Sequence, residues 1–140
     1  MRRILSAATL ALLTACSDPT GSATTDVRVE TDKRTYVATD PVVFTITNAT
    51  GSPVELAACD GVPTISVERR EDGRWPSAAT SICPANLLVT PVTMAPGATF
   101  SATLRIPGEI GTFRIVLPNL SRNTQEPRAI SPTFEIRQPG

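Results

Sequence analysis

The chain has 140 residues, 13 of them basic and 13 acidic, so its formal charge is zero, and it contains no histidine. A balanced chain without a basic cluster has no electrostatic means of gathering nucleic acid, because counterion release needs concentrated positive charge. The missing histidine removes the commonest general base and the commonest metal ligand.

The N-terminus carries Arg2 and Arg3, then an apolar run over residues 4–13, then small residues. That is the build of a bacterial secretory signal, and the apolar run is too short to cross a bilayer as a permanent helix. It ends in Leu13-Thr14-Ala15-Cys16, which resembles the lipobox of bacterial lipoproteins. The resemblance implies cleavage between Ala15 and Cys16 and a diacylglyceryl thioether on Cys16, with the membrane as partner through that lipid. The plainer alternative is secretion after Ala15 with no lipid. The chain from Cys16 onward is of one-domain size, and without Arg2 and Arg3 it holds 11 basic side chains against 13 acidic ones. One adjacent basic pair, Arg69-Arg70, is followed at once by Glu71-Asp72 and reads as a solvated strand end.

Three cysteines would leave one thiol over in an exported protein. Acylation of Cys16 resolves the count and leaves Cys59 and Cys83 for a disulfide in an oxidising compartment. Their loop of about 25 residues would stabilise the fold by about 3.5 kcal/mol on the chain-entropy model. A redox or metal-binding pair would want closer spacing or further ligands.

Residues 17–25 contain nothing apolar larger than alanine and read as a tether, which at flexible-chain scaling holds the domain roughly 15 to 20 Å from the anchor. From Asp26 the pattern turns to period two. Val27 and Val29 alternate with Arg28 and Glu30, and Tyr36-Val37 precede a turn at Asp40-Pro41. Val42, Phe44 and Ile46 then share a face opposite Thr45 and Thr47. Residues 48–53 are dense in turn formers, and Val54, Leu56 and Ala58 point inward up to Cys59. Asp60, Gly61 and Pro63 break the chain before a strand over residues 64–70 with Ile65 and Val67 inside.

Glu71-Asp72-Gly73 is a hairpin signal, and Pro76 confines any strand near it to an edge. Residues 77–85 read as a small polar segment tied down by Cys83, and residues 86–93, broken by Pro91, as a short or edge strand. Ala95-Pro96-Gly97 leads into the cleanest alternation, with Phe100, Ala102, Leu104 and Ile106 facing in. Phe113, Ile115 and Leu117, split by Arg114, form the next inward face. Residues 118–128 read as an exposed loop, and Phe134 and Ile136 close the core.

Several of these local motifs, in this order, resemble a bacterial immunoglobulin-like domain of the kind found in short lipoproteins. They are Tyr36 ahead of the first strong strand, the Thr47-Asn48 ending, Gly73-Arg74-Trp75, Ala95-Pro96-Gly97, Gly111-Thr112-Phe113-Arg114 and Ser131-Pro132-Thr133-Phe134. The order is also similar to the sandwich of bacterial proteinase inhibitors. The resemblance implies an all-β, antiparallel immunoglobulin-like sandwich of seven to nine short strands over residues 26–140, preceded by a signal peptide (1–15) and by the lipidated cysteine with its tether (16–25). Phe113 stands where such domains commonly carry a tyrosine, so a corner hydrogen bond cannot come from that position.

Catalysis finds no support in the chain. There is no Gly-x-Ser-x-Gly elbow, phosphate cradle or Cys-x-x-Cys pair. Asp60 and the Glu71-Asp72 pair are the carboxylates that could serve as acid and base, but both lie in turn contexts where aspartate bonds the backbone. Asp26, Asp32 and Asp40 could be imagined around calcium, yet without a ligand spacing that supports it. No cofactor or metal is therefore expected. Trp75, the single tryptophan, either packs over the sandwich edge or forms a binding surface with Arg74. The functional expectation is a non-catalytic binding or structural module of the cell envelope with an envelope protein as partner. The alternatives are an inhibitor of a secreted protease, presenting residues 118–128 or the loop between Cys59 and Cys83, and a small envelope hydrolase.

Overall fold

The computed structural model describes residues 27–80, 89–119 and 128–140. The expectations placed on the signal, Cys16, the tether, Asp26, Cys83 and most of the loop at 118–128 lie outside those residues. The described chain is an all-β sandwich, without helix among the described residues.

One sheet is built from β1 (Val27–Thr31), β3 (Val42–Asn48) and β9 (Thr99–Leu104), in the order β1-β3-β9 and antiparallel throughout. The second contains β2 (Thr35–Val37), β6 (Ser66–Arg69), β7 (Ser77–Thr80), β10 (Gly111–Leu117), β11 (Ala129–Ile130) and β12 (Phe134–Arg137). Its order is β2-β12-β10-β6-β7, with β11 paired to the end of β10, and its one parallel pairing joins β12 to β2. A small third sheet places β4 (Val54–Cys59) between β5 (Val62–Pro63) and β8 (Val89–Met94).

Alternation decides what is buried. β3 shows it most completely: Val42, Phe44, Ile46 and Asn48 are buried, while the residues between them are half-buried. A pleated strand sends successive side chains to opposite faces, so the period-two apolar spacing turns one face of each sheet into core. Tyr36, Phe113 and Phe134 form the aromatic centre. Phe113 stacks on Phe134 with centroids 5.9 Å apart, and Tyr36 meets Phe134 edge-on at 5.6 Å. Such offset and T-shaped contacts suit the ring quadrupole and add about 0.5–1.5 kcal/mol each beyond burial.

Two buried polar side chains fasten the frame. Asn48 donates through Nδ2 to the carbonyls of Ser52 (2.9 Å) and Met94 (3.0 Å), and its Oδ1 accepts from Thr50 N (3.0 Å) and Thr50 Oγ1 (2.7 Å). One amide thus ties the end of β3 to the following turn and to β8. Ser131 lies between β11 and β12, where Oγ accepts from Ile115 N at 2.8 Å and donates to the Pro132 carbonyl at 2.8 Å. The hydroxyl thereby supplies the acceptor for a buried backbone N–H of β10.

The structure corrects four expectations. Among the described residues twelve strands form, not seven to nine, because two- and three-residue ladders such as β5 and β11 carry too little sequence to show a period. Residues 77–80 are a strand, although Ser77, Ala78 and Ala79 are exposed and give no apolar signal; main-chain pairing with β6 creates β7. The clean alternation of β9 is only half-buried on its inner face, since among the described residues β9 pairs with β3 alone, and Ile106 is buried beyond the strand's end. The break at Asp60-Gly61 is a tight hairpin joining β4 to β5, with both residues at positive φ (51° and 78°) and Cys59 paired to Val62. Two successive positive φ values define the type I′ turn, whose twist matches that of the flanking strands.

Candidate functional site

At the end of the second sheet where β6 turns into β7, Trp75 meets several charged side chains. Asp72 and Gly73 have φ of 47° and 79°, and Glu71 and Arg74 exchange both backbone hydrogen bonds, at 3.0 and 2.8 Å. This is again a type I′ turn, as the Glu71-Asp72-Gly73 stretch predicts. It reverses the chain within two residues and sets Trp75 and Pro76 beside β6.

Arg114 on β10 stands directly across the ladder from Glu68 on β6. Its Nε donates to Glu68 Oε2 at 2.7 Å and Nη2 lies 2.7 Å from the same oxygen. The guanidinium sits over the Trp75 ring, 4.3 Å from the centroid. A planar cation on an indole face is the favoured cation–π geometry, and the carboxylate on its rim fixes the plane. Glu68, Arg114 and Trp75 therefore form one stack, with both charged side chains about three-quarters buried. Trp75 itself is half-buried, packed on one face by a cation and not enclosed in the core. Trp75 and exposed Arg74 line one pocket of about 510 Å³ with Glu71, Asp72 and Pro76.

On the other flank of the hairpin, Arg69 donates through Nε to Glu71 Oε1 at 2.9 Å and through Nη1 to Glu109 Oε2. The hydrogen bond to Glu71, followed by that to Glu109, raises the Arg69 pKa. This bridge pins the hairpin to the loop before β10. Arg114, Glu68 and Glu109 are absent from the sequence-level set. An alternating Arg114 between Phe113 and Ile115 signals only an outward residue; the register between β6 and β10, on which the stack depends, is a tertiary fact.

The other sequence-derived candidates disperse. Asp60 occupies the turn between β4 and β5, and Asp72 the turn before Trp75, both in backbone roles. Asp32 accepts a 2.6 Å hydrogen bond from the Tyr36 hydroxyl, and Asp40 Oδ2 accepts from Val37 N at 3.4 Å. Among the described residues, no three His, Cys, Asp or Glu side chains gather to hold a metal ion. Cys59, half-buried at the end of β4, does not carry a free thiol. The Tyr36 hydroxyl also accepts from the backbone N–H of Lys33 at 3.0 Å.

In comparison with known proteins, the chain matches no family model and no curated protein.

Proposed function

We propose that this chain is a lipid-anchored protein of the bacterial cell envelope whose immunoglobulin-like sandwich is a non-catalytic binding module, with the surface around Trp75 as its contact site. The observation that carries the reading is the Glu68–Arg114–Trp75 stack: a half-buried tryptophan held by a fixed guanidinium and lining a pocket. Rigid aromatic and arginine anchors dominate binding surfaces because they bring large contact area at little entropic cost.

Strand order supports the immunoglobulin-like reading. The sequence β1-β3-β9 in one sheet and β12-β10-β6-β7 in the other follows the A-B-E and G-F-C-C′ arrangement of such sandwiches. Leu13-Thr14-Ala15-Cys16 supports the anchor, and the tether then keeps the domain near the headgroups. Cys59 pairs with Cys83 in this reading, which leaves Cys16 for the lipid.

Two measurements test it. Intact mass of protein extracted from membranes is expected to lack residues 1–15 and to carry acyl mass on Cys16; an unmodified Cys16 removes the anchor. Crosslinking in intact cells from a photoreactive group at Arg74, followed by mass spectrometry, is expected to recover a specific envelope component that is lost when Trp75 is replaced by alanine. Tight inhibition of one enzyme in a protease panel would replace the binding module by the inhibitor.

A further inference from the structure

We infer that the Trp75 pocket binds a neutral saccharide, with one sugar ring lying on the indole and its hydroxyls on Asp72 and Arg74. This rests on the binding-module reading above and names the ligand class for the same site. Arg114 stacks on the Trp75 ring and is not among the residues that line the pocket, whose wall includes Trp75 and Pro76. The C–H face of a pyranose is apolar and slightly positive and suits the negative face of an aromatic ring.

Charge decides the class of ligand. Of the charged side chains among the described lining residues, Glu71 is engaged by Arg69. Asp72 and Arg74 then cancel, and neither a cation nor an anion gains net attraction. A polyhydroxyl ligand uses both, since vicinal hydroxyls donate to a carboxylate and accept from a guanidinium fork. A protein partner would need on the order of 1,000 Å² with an apolar centre. The exposed large apolar residues among those described, Val62, Ile110 and Ile130, do not line this pocket. The depression is open, of about 510 Å³, and combines one aromatic ring with charged groups, which suits a small polar ligand lying on the surface.

Trp75 is the single tryptophan of the chain, so intrinsic fluorescence reports this site alone. The full chain is extracted in a polyoxyethylene detergent that carries no sugar, and titrated with chitotetraose and, separately, maltotetraose. The first represents N-acetylated wall-type glycan and the second a plain glucan. An arginine-rich peptide serves as the charged control. Saturable quenching by one tetrasaccharide but not by the peptide is expected, and which sugar acts distinguishes the two sources.

Asp72→Asn keeps a residue that accepts the positive φ of this turn. It is expected to weaken the saccharide by about tenfold, with the far-ultraviolet circular dichroism unchanged. Quenching that Asp72→Asn leaves at wild-type affinity would overturn the assignment of the hydroxyl contacts. Silence with both sugars up to about 10 mM, a dissociation constant weaker than useful recognition, overturns the saccharide itself. In that case, a Trp75-dependent crosslink in cells would keep the binding module and change only its ligand, while loss of both signals would remove the module as well.

Discussion

Asn48 is fully buried and uses all four of its side-chain hydrogen-bonding positions, so replacing it cannot be neutral. Asn48→Ala leaves the Met94 carbonyl and Thr50 amide short of a partner at the hinge between β3, the turn and β8. A loss of about 2–3 kcal/mol is expected, read as a lower urea midpoint at unchanged slope. Tyr36 offers a second test at the same scale. Burial, then the hydrogen bond to Asp32, raises its pKa above the ordinary value of 10.0. The folded state therefore holds the phenol proton more tightly than the unfolded chain does. The stabilisation is fully present below pH 10.0 and is lost as pH rises from there through the higher folded pKa. Thermal melts across alkaline pH should show this fall, and Tyr36→Phe should flatten it. Tyr36 is the only tyrosine, so its ultraviolet titration can be followed directly in the same samples.

At the scale of elements, the hairpin at Asp72-Gly73 controls whether β7 and Trp75 reach their places. A Cβ on Gly73 would meet nothing within 4 Å, so Gly73→Ala tests backbone conformation without a steric clash. With φ at 79°, alanine should cost about 1 kcal/mol. The melting temperature reads that cost, and a red-shifted Trp75 emission should accompany it if the hairpin loosens. The turn was legible in the sequence because Asp-Gly states its own backbone requirement locally. β7 was not legible, for a physical reason. Ser77, Ala78 and Ala79 are exposed and bury nothing there, so the strand is determined by the ladder it makes with β6. The Glu68–Arg114 pair was hidden in the same way, since two charged outward residues 46 positions apart become neighbours only through register.

For the whole molecule, the core of each sheet is completed by the others. Val29, Phe44 and Ile46 from the first sheet belong to the same cluster as Tyr36, Phe113 and Phe134 from the second and Leu56 and Met94 from the third. Cys59 sits at the end of β4, and a cross-link from there to Cys83 would tie the third sheet to the segment after β7. Cys83→Ser is expected to lower stability by about 3 kcal/mol without changing the β-rich circular dichroism spectrum, because the core does not pass through that bond. Retention of wild-type stability under reducing conditions would show that the pairing does not contribute.

The sequence by itself determined the class of the fold, the inward faces of β3, β4, β10 and β12, and the positions of the tight turns. Those features follow from period-two burial and from local φ requirements, which neighbouring residues state without reference to the rest of the chain. It also marked the single tryptophan. Only the tertiary structure decided that Trp75 rests on Arg114, that Glu68 fixes that arginine, and that Asp72, Arg74 and Pro76 share a pocket with the indole. Each of those contacts depends on strand register and on the twist of the hairpin. Register is set by the packing of a whole sheet against its core, so no local stretch of sequence specifies it.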